Sequence, residues 1–231
     1  MTRMETRYPC PVCLGVKMEK VTLENGAGAT TSAGSLILDH CPRCGGVWFE
    51  AGEVQRLRGI DATALWRQIA QREGVHAMQC HSCRTHVPRN STECHACGWK
   101  IELDCPTCER EMRVAEQNGM RLDYCTNCKG VWFDHDELTS IWKMEVDALM
   151  KRRGSRTVSA AGDVMLLDVL LYDPFVMYYG IHAAGHAAGA AADALAGSGS
   201  VEVIGEVAGA AGEVASSLFE TIVEIIGGIF G

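Results

Sequence analysis

All twelve cysteines of this chain fall into six Cys-x-x-Cys pairs: Cys10/Cys13, Cys41/Cys44, Cys80/Cys83, Cys94/Cys97, Cys105/Cys108 and Cys125/Cys128. Two thiolates at this spacing grip one edge of a tetrahedral metal ion, and a second pair from a later loop closes the shell. Taken in order, the pairs make three sets of four ligands, which predicts three Zn²⁺ ions per chain. Units this short bury too little apolar surface to fold unaided, so metal binding supplies the missing free energy. With 231 residues, cysteines that stop at Cys128 and a composition that shifts after about residue 156, the chain reads as several small units rather than one large core.

The opening Met1–Arg7 stretch has no apolar run before the first cysteine pair. The expected compartment is therefore a reducing cytoplasm, where thiols stay available for metal. Charge is unevenly placed. Nine of the 29 acids, and none of the 21 Lys and Arg, lie from Ala160 onward. The net charge of −8 thus belongs to the tail and leaves the cysteine-rich part close to neutral.

The cysteine-rich part repeats itself. One copy runs Pro9-Cys-Pro-Val-Cys13, Met18, then Leu38-Asp39-His40-Cys41-Pro-Arg-Cys44-Gly-Gly46-Val-Trp-Phe49-Glu50 and Glu53. The other runs Cys105-Pro-Thr-Cys108, Met112, then Leu122-Asp123-Tyr124-Cys125-Thr-Asn-Cys128-Lys-Gly130-Val-Trp-Phe133-Asp134 and Glu137. The ends match while the joining segments hold 27 and 16 residues, as expected of two ligand loops joined by a surface hairpin. Each copy is expected to close its own site, with Cys80/Cys83 and Cys94/Cys97 forming an inserted third one; an interleaved pairing needs longer crossings.

Within the copies, Gly45 and Gly98 allow a positive φ after the second cysteine of a pair, and Lys129 in the equivalent place implies slight strain. Trp48, Phe49, Trp132 and Phe133 are read as core rather than as a binding surface. Asp134-x-x-Glu137 forms a capping box that opens a helix with Leu138, Ile141, Trp142, Val146 and Leu149 on one face; Glu50-x-x-Glu53 is a weaker version.

These motifs resemble the bacterial transcription-factor-IIB-type zinc ribbon, matched twice, over about residues 8 to 58 and 103 to 143. The set around Cys80-His-Ser-Cys83 and Cys94-His-Ala-Cys97 looks like a short generic zinc ribbon. The resemblance implies zinc in a small β fold and leaves function open. The expected fold is a small metal-stabilised β structure of three four-cysteine zinc ribbons with short helices, followed by an α-helical Ala/Gly-rich C-terminal region. The expected units are ribbon 1 at 8–58, a connecting helix at 59–74, ribbon 2 at 75–102, ribbon 3 plus helix at 103–150, a linker at 151–160 and an acidic helical tail at 161–231.

Rubredoxin-like iron would use the same four-thiolate shell, but three copies with helical extensions suit structural zinc better. Redox catalysis by a lone Cys-x-x-Cys does not account for six paired copies. His81, His86 and His95 lie near complete cysteine sets, so no histidine is assigned to metal. Closed shells leave no coordination position for substrate, and enzymatic activity is not expected.

In the tail, Glu202, Glu206, Glu213, Glu220 and Glu224 share one helical stripe opposite Ile204, Val207, Val214, Leu218, Ile222 and Ile225. Gly227-Gly228 is expected to end that helix. Its apolar face needs a cover, either in this chain, in another copy, or in a lipid bilayer, the last disfavoured by the all-acidic polar face. The expected function is a zinc-binding, non-enzymatic adaptor or regulator with a protein partner or self-association through the C-terminal helices. One alternative is a nucleic-acid-binding transcription-related regulator using Arg84, Arg89, Lys100, Arg110, Arg113, Arg121 and Lys151–Arg153. The other is a membrane-associated scaffold.

Overall fold

The computed structural model describes residues 7–23, 35–54, 56, 65, 77–89, 91–153, 217–218 and 220–230. The chain divides into two compact units, one of Met1–Leu138 with Phe219–Gly231 and the other of Thr139–Leu218.

In the first unit, the first copy supplies three antiparallel strands: β1 (Glu19–Leu23), β2 (Leu36–His40) and β3 (Val47–Phe49). A single helical turn, α1 (Ala51–Val54), follows. The middle segment forms a separate hairpin of β4 (Ala77–Gln79) and β5 (His86–Pro88). The last copy repeats the first with β6 (Arg113–Gln117), β7 (Met120–Tyr124) and β8 (Val131–Phe133), leading into helix α2 (His135–Arg153).

The two copies do not stand apart. β3 pairs antiparallel with β8, with Val47 opposite Phe133, Trp48 opposite Trp132 and Phe49 opposite Val131. Six strands therefore run in the order β1-β2-β3-β8-β7-β6, with an approximate two-fold relation at the tryptophan pair. An apolar Val-Trp-Phe edge left unpaired would invite aggregation, and pairing it with its own repeat removes that edge. All six residues of the two strands are fully buried, and Phe49 meets Phe133 edge-to-face with centroids 5.4 Å apart.

The repeat's glycine before Val-Trp-Phe explains how close the copies come. A Cβ on Gly46 would overlap the Trp132 ring, and one on Gly130 would overlap the Trp48 ring. Each copy thus opens a slot in its own ribbon for the other's indole. The aromatic residues belong to the core, as expected, but that core is built between copies. It continues into the middle segment, with Met78, Val87, Ile101 and Leu103 buried in the same cluster as Met18, Met112 and both tryptophans.

In each capping box the arm from the later glutamate forms. The Glu50 amide donates to Glu53 Oε2 at 2.8 Å, and the Asp134 amide donates to Glu137 Oε2 at 2.7 Å. On α2, Leu138, Ile141, Trp142 and Val146 are buried, following the helical spacing in the sequence. The helix reaches Arg153, three residues into the stretch expected as linker. Of the connecting helix expected at 59–74, only Leu65 is among the described residues, helical and fully buried. Most of the tail, including His182, His186 and the stripe from Glu202 to Glu213, lies outside them.

Residues 220–230 (α3) are helical, so Gly227-Gly228 does not end the helix. Contacts to the last copy offset the weak helix propensity of glycine. Gln117 Nε2 donates to the Gly228 carbonyl at 3.3 Å, and the Phe230 ring packs edge-on against Tyr124 and under the Lys129 ammonium. Ile222 and Ile225 are buried while Glu220 and Glu224 are exposed, matching the two faces read from sequence. Among the described residues, no helix is long and apolar enough to cross a membrane.

Candidate metal centres

Each cysteine pair sits on a tight turn built to the same pattern. In five of the six, the amide of the first cysteine donates to the carbonyl five residues on: Cys41 to Gly46, Cys80 to Thr85, Cys94 to Trp99, Cys105 to Arg110 and Cys125 to Gly130, all at 2.7–2.9 Å. The residue four after the first cysteine then takes a left-handed conformation and donates back to that cysteine's carbonyl. Gly45, Arg84, Gly98, Glu109 and Lys129 fill this position, with φ between 57° and 74°. The strain expected at Lys129 is thus shared by Arg84 and Glu109. The Cys10 turn is one residue longer, closing on Val16 and placing Gly15 in the left-handed slot.

These turns aim the sulfurs together in three groups: Cys10, Cys13, Cys41 and Cys44; Cys80, Cys83, Cys94 and Cys97; Cys105, Cys108, Cys125 and Cys128. Each group closes within its own ribbon. Across the sites, Cys10 and Cys44 lie 3.8 Å apart, Cys80–Cys97 and Cys83–Cys94 3.7 Å, Cys105–Cys128 3.4 Å and Cys108–Cys125 3.5 Å. Four sulfurs at ~2.3 Å from a central zinc form a tetrahedron with edges of about 3.8 Å, so the donor set fits the ion. A disulfide would need about 2.05 Å, and all twelve cysteines are free.

Within each set the thiol pKa values are driven apart, some raised and some lowered. Burial pushes the Cys10 thiol up, while hydrogen bonds from Cys10, Cys13 and Cys44 pull Cys41 well down. In the middle set, hydrogen bonds from Thr85 lower Cys83 to about 6; in the last, the Arg110 amide lowers Cys108 to about 7. Four thiols so close share protons unless a cation replaces them, and a divalent ion lets all four ionise. No histidine joins any group among the described residues. His81 instead stacks on Trp99 with ring centroids 5.1 Å apart and brings Nε2 within 3.4 Å of the Val12 carbonyl, tying the middle ribbon to the first.

Residues 9–58 and 104–144 match the transcription factor zinc-finger family. Both copies of the repeat are thus transcription-factor-IIB-type zinc ribbons, and the chain binds three zinc ions. No curated protein and no solved structure matches the chain.

The zinc ribbons are linked to one another near the metals. Trp48 of the first donates its Nε1 proton to Thr107 Oγ1 at 3.1 Å, inside the Cys105/Cys108 turn. Val12 occupies the equivalent turn position in the first copy and cannot accept, so Trp132 donates to Asp134 Oδ1 at 2.7 Å instead. Arg89, at the end of β5 in the middle ribbon, is the connection that sequence reading missed. It ion-pairs with buried Asp123 and, at 2.8 Å through Nε, with Asp134 of the last ribbon. Burial raises the Asp134 carboxyl against the pull of Arg89, and burial raises Glu137 as well. Its place between these carboxylates removes Arg89 from the bases available to nucleic acid.

Proposed function

We propose that this chain is a zinc-stabilised, non-enzymatic adaptor that binds a protein partner. The closed four-sulfur shells support a structural role for the metal, since none leaves a position for substrate. The observation that carries the reading is a groove of about 560 Å³ beside β6, at the edge of the six-stranded sheet. Val114, 40% exposed and alone in that among the large hydrophobic residues described, contributes apolar surface there above the buried Ile101 and Met112. Lys100, Arg113 and Arg121 in its lining are matched by Glu93, Glu102 and Glu111. A balanced rim suits a polypeptide and gives a polyanion little to hold.

Affinity capture with the full chain and with Val114→Glu tests this. The adaptor reading expects proteins retained by the full chain to be lost with the variant while its zinc content stays the same. Tight binding of DNA or RNA that weakens steeply with added salt would support the nucleic-acid reading instead.

A further inference from the structure

The three zinc sites share ligands and geometry but differ in access. All four cysteines of the first are buried, and those of the last are buried or half-buried. In the middle site Cys80 and Cys94 are buried, but Cys83 and Cys97 are exposed. These two present thiolate sulfur at the surface of the chain, where electrophiles and oxidants reach it. The ten-residue loop between Cys83 and Cys94 also carries Arg89, the cation held between Asp123 and Asp134.

From this geometry we infer that Cys83 and Cys97 form a modification site for hydroperoxides, and that oxidation there releases the middle zinc and withdraws Arg89 from the third ribbon. The peroxide O–O bond breaks on an exposed thiolate, oxidising sulfur to a sulfenic acid and reducing the distal oxygen to hydroxide. The thiolate across the site then displaces a second hydroxide and closes a disulfide; Cys94 lies 3.7 Å from Cys83, and Cys80 lies 3.7 Å from Cys97. Two thiolates, one hydrogen peroxide and two protons yield one disulfide and two waters, and zinc leaves as Zn²⁺ with its oxidation state unchanged.

Closing a disulfide draws two sulfurs from 3.7 Å to about 2.05 Å and removes half the ligand shell. The loop that carries Arg89 exchanges its zinc anchor for a shorter sulfur–sulfur bond, Cys83–Cys94 at its own ends or Cys80–Cys97 just outside them, which shifts the position of Arg89. Asp123 and Asp134 then lose the guanidinium they share, and the Asp134–Glu137 capping box loses the charge that steadies it. Peroxide exposure would in this way be transmitted from the middle ribbon to the start of α2.

The experiment uses the zinc-loaded full chain with stoichiometric additions of hydrogen peroxide. A chromogenic chelator follows zinc release, peptide mapping identifies disulfides, and amide hydrogen exchange reports on residues 134–138. One equivalent of zinc should leave at least about tenfold faster than the rest, following thiolate access. The first disulfide should contain Cys83 or Cys97, and exchange at 134–138 should rise with it and recover after a dithiol and zinc are added. Release of all three ions at one rate, or a first disulfide within the Cys10–Cys44 or Cys105–Cys128 set, overturns the site. Unchanged exchange at 134–138 after the first release overturns the link to the third ribbon. No partner enters the experiment, so its outcome is separate from that of the adaptor reading.

Discussion

Asp39 and Asp123 occupy the same slot of the repeat and are both buried, yet they are neutralised from different places. In the first ribbon, Lys20 stands opposite Asp39 in the β1–β2 register and donates to it at 2.8 Å. The position opposite Asp123 is Val114, which has no charge to offer, and Arg89 arrives from the inserted ribbon instead. The clue lay in the sequence as a missing counter-charge, but reading it required the strand register, which the unequal loops concealed. Removing one partner of a buried pair costs far more than the pair contributes. Arg89→Met should therefore lower stability by about 3–5 kcal/mol in denaturant unfolding of the zinc-loaded protein, and adding Asp123→Asn to it should restore part of the loss. A loss below about 0.5 kcal/mol would place Arg89 among ordinary surface residues.

At the level of elements, the paired Glu50/Glu53 and Asp134/Glu137 boxes were legible because each motif is local. Their electrostatic setting was not, because burial depends on what packs over them. Burial raises the Glu53 carboxyl to about 7 against the hydrogen bond from the Glu50 amide, with the Glu50 and Asp39 charges adding to the rise and Lys20 opposing it. The folded chain thus holds a proton on Glu53 that the unfolded chain releases near pH 4.5. This contribution is fully present below the unfolded pKa and is lost as pH rises through about 7. A glutamine keeps an amide-accepting oxygen without the charge. Glu53→Gln should match wild type near pH 5 and exceed it by on the order of 2 kcal/mol at pH 8, measured by denaturant midpoints at fixed zinc. A constant difference across that range would contradict the assignment. The β3–β8 pairing shows the same limit on sequence reading. Val-Trp-Phe was recognisable as core in each copy, but the partner strand lies more than 80 residues away. Gly46 and Gly130, retained in both copies, were its only local trace.

Across the whole molecule, three metal sites, one six-stranded sheet and one shared core make the cysteine-rich part a single object rather than three beads. Its ligand sets were legible because paired cysteines state their own chemistry; the joins were not, since Arg89, His81 and Thr107 act through contacts distant in sequence. Zinc supplies the folding free energy that such small ribbons lack, so a chelator should unfold the described β structure together with metal loss. All three sites are closed four-cysteine shells. Native mass spectrometry of the full chain, read beside its metal content, tests their occupancy most directly. The expected result is three zinc ions per chain with no disulfides. One zinc ion per chain, iron in place of zinc, or cysteines oxidised in pairs would contradict it.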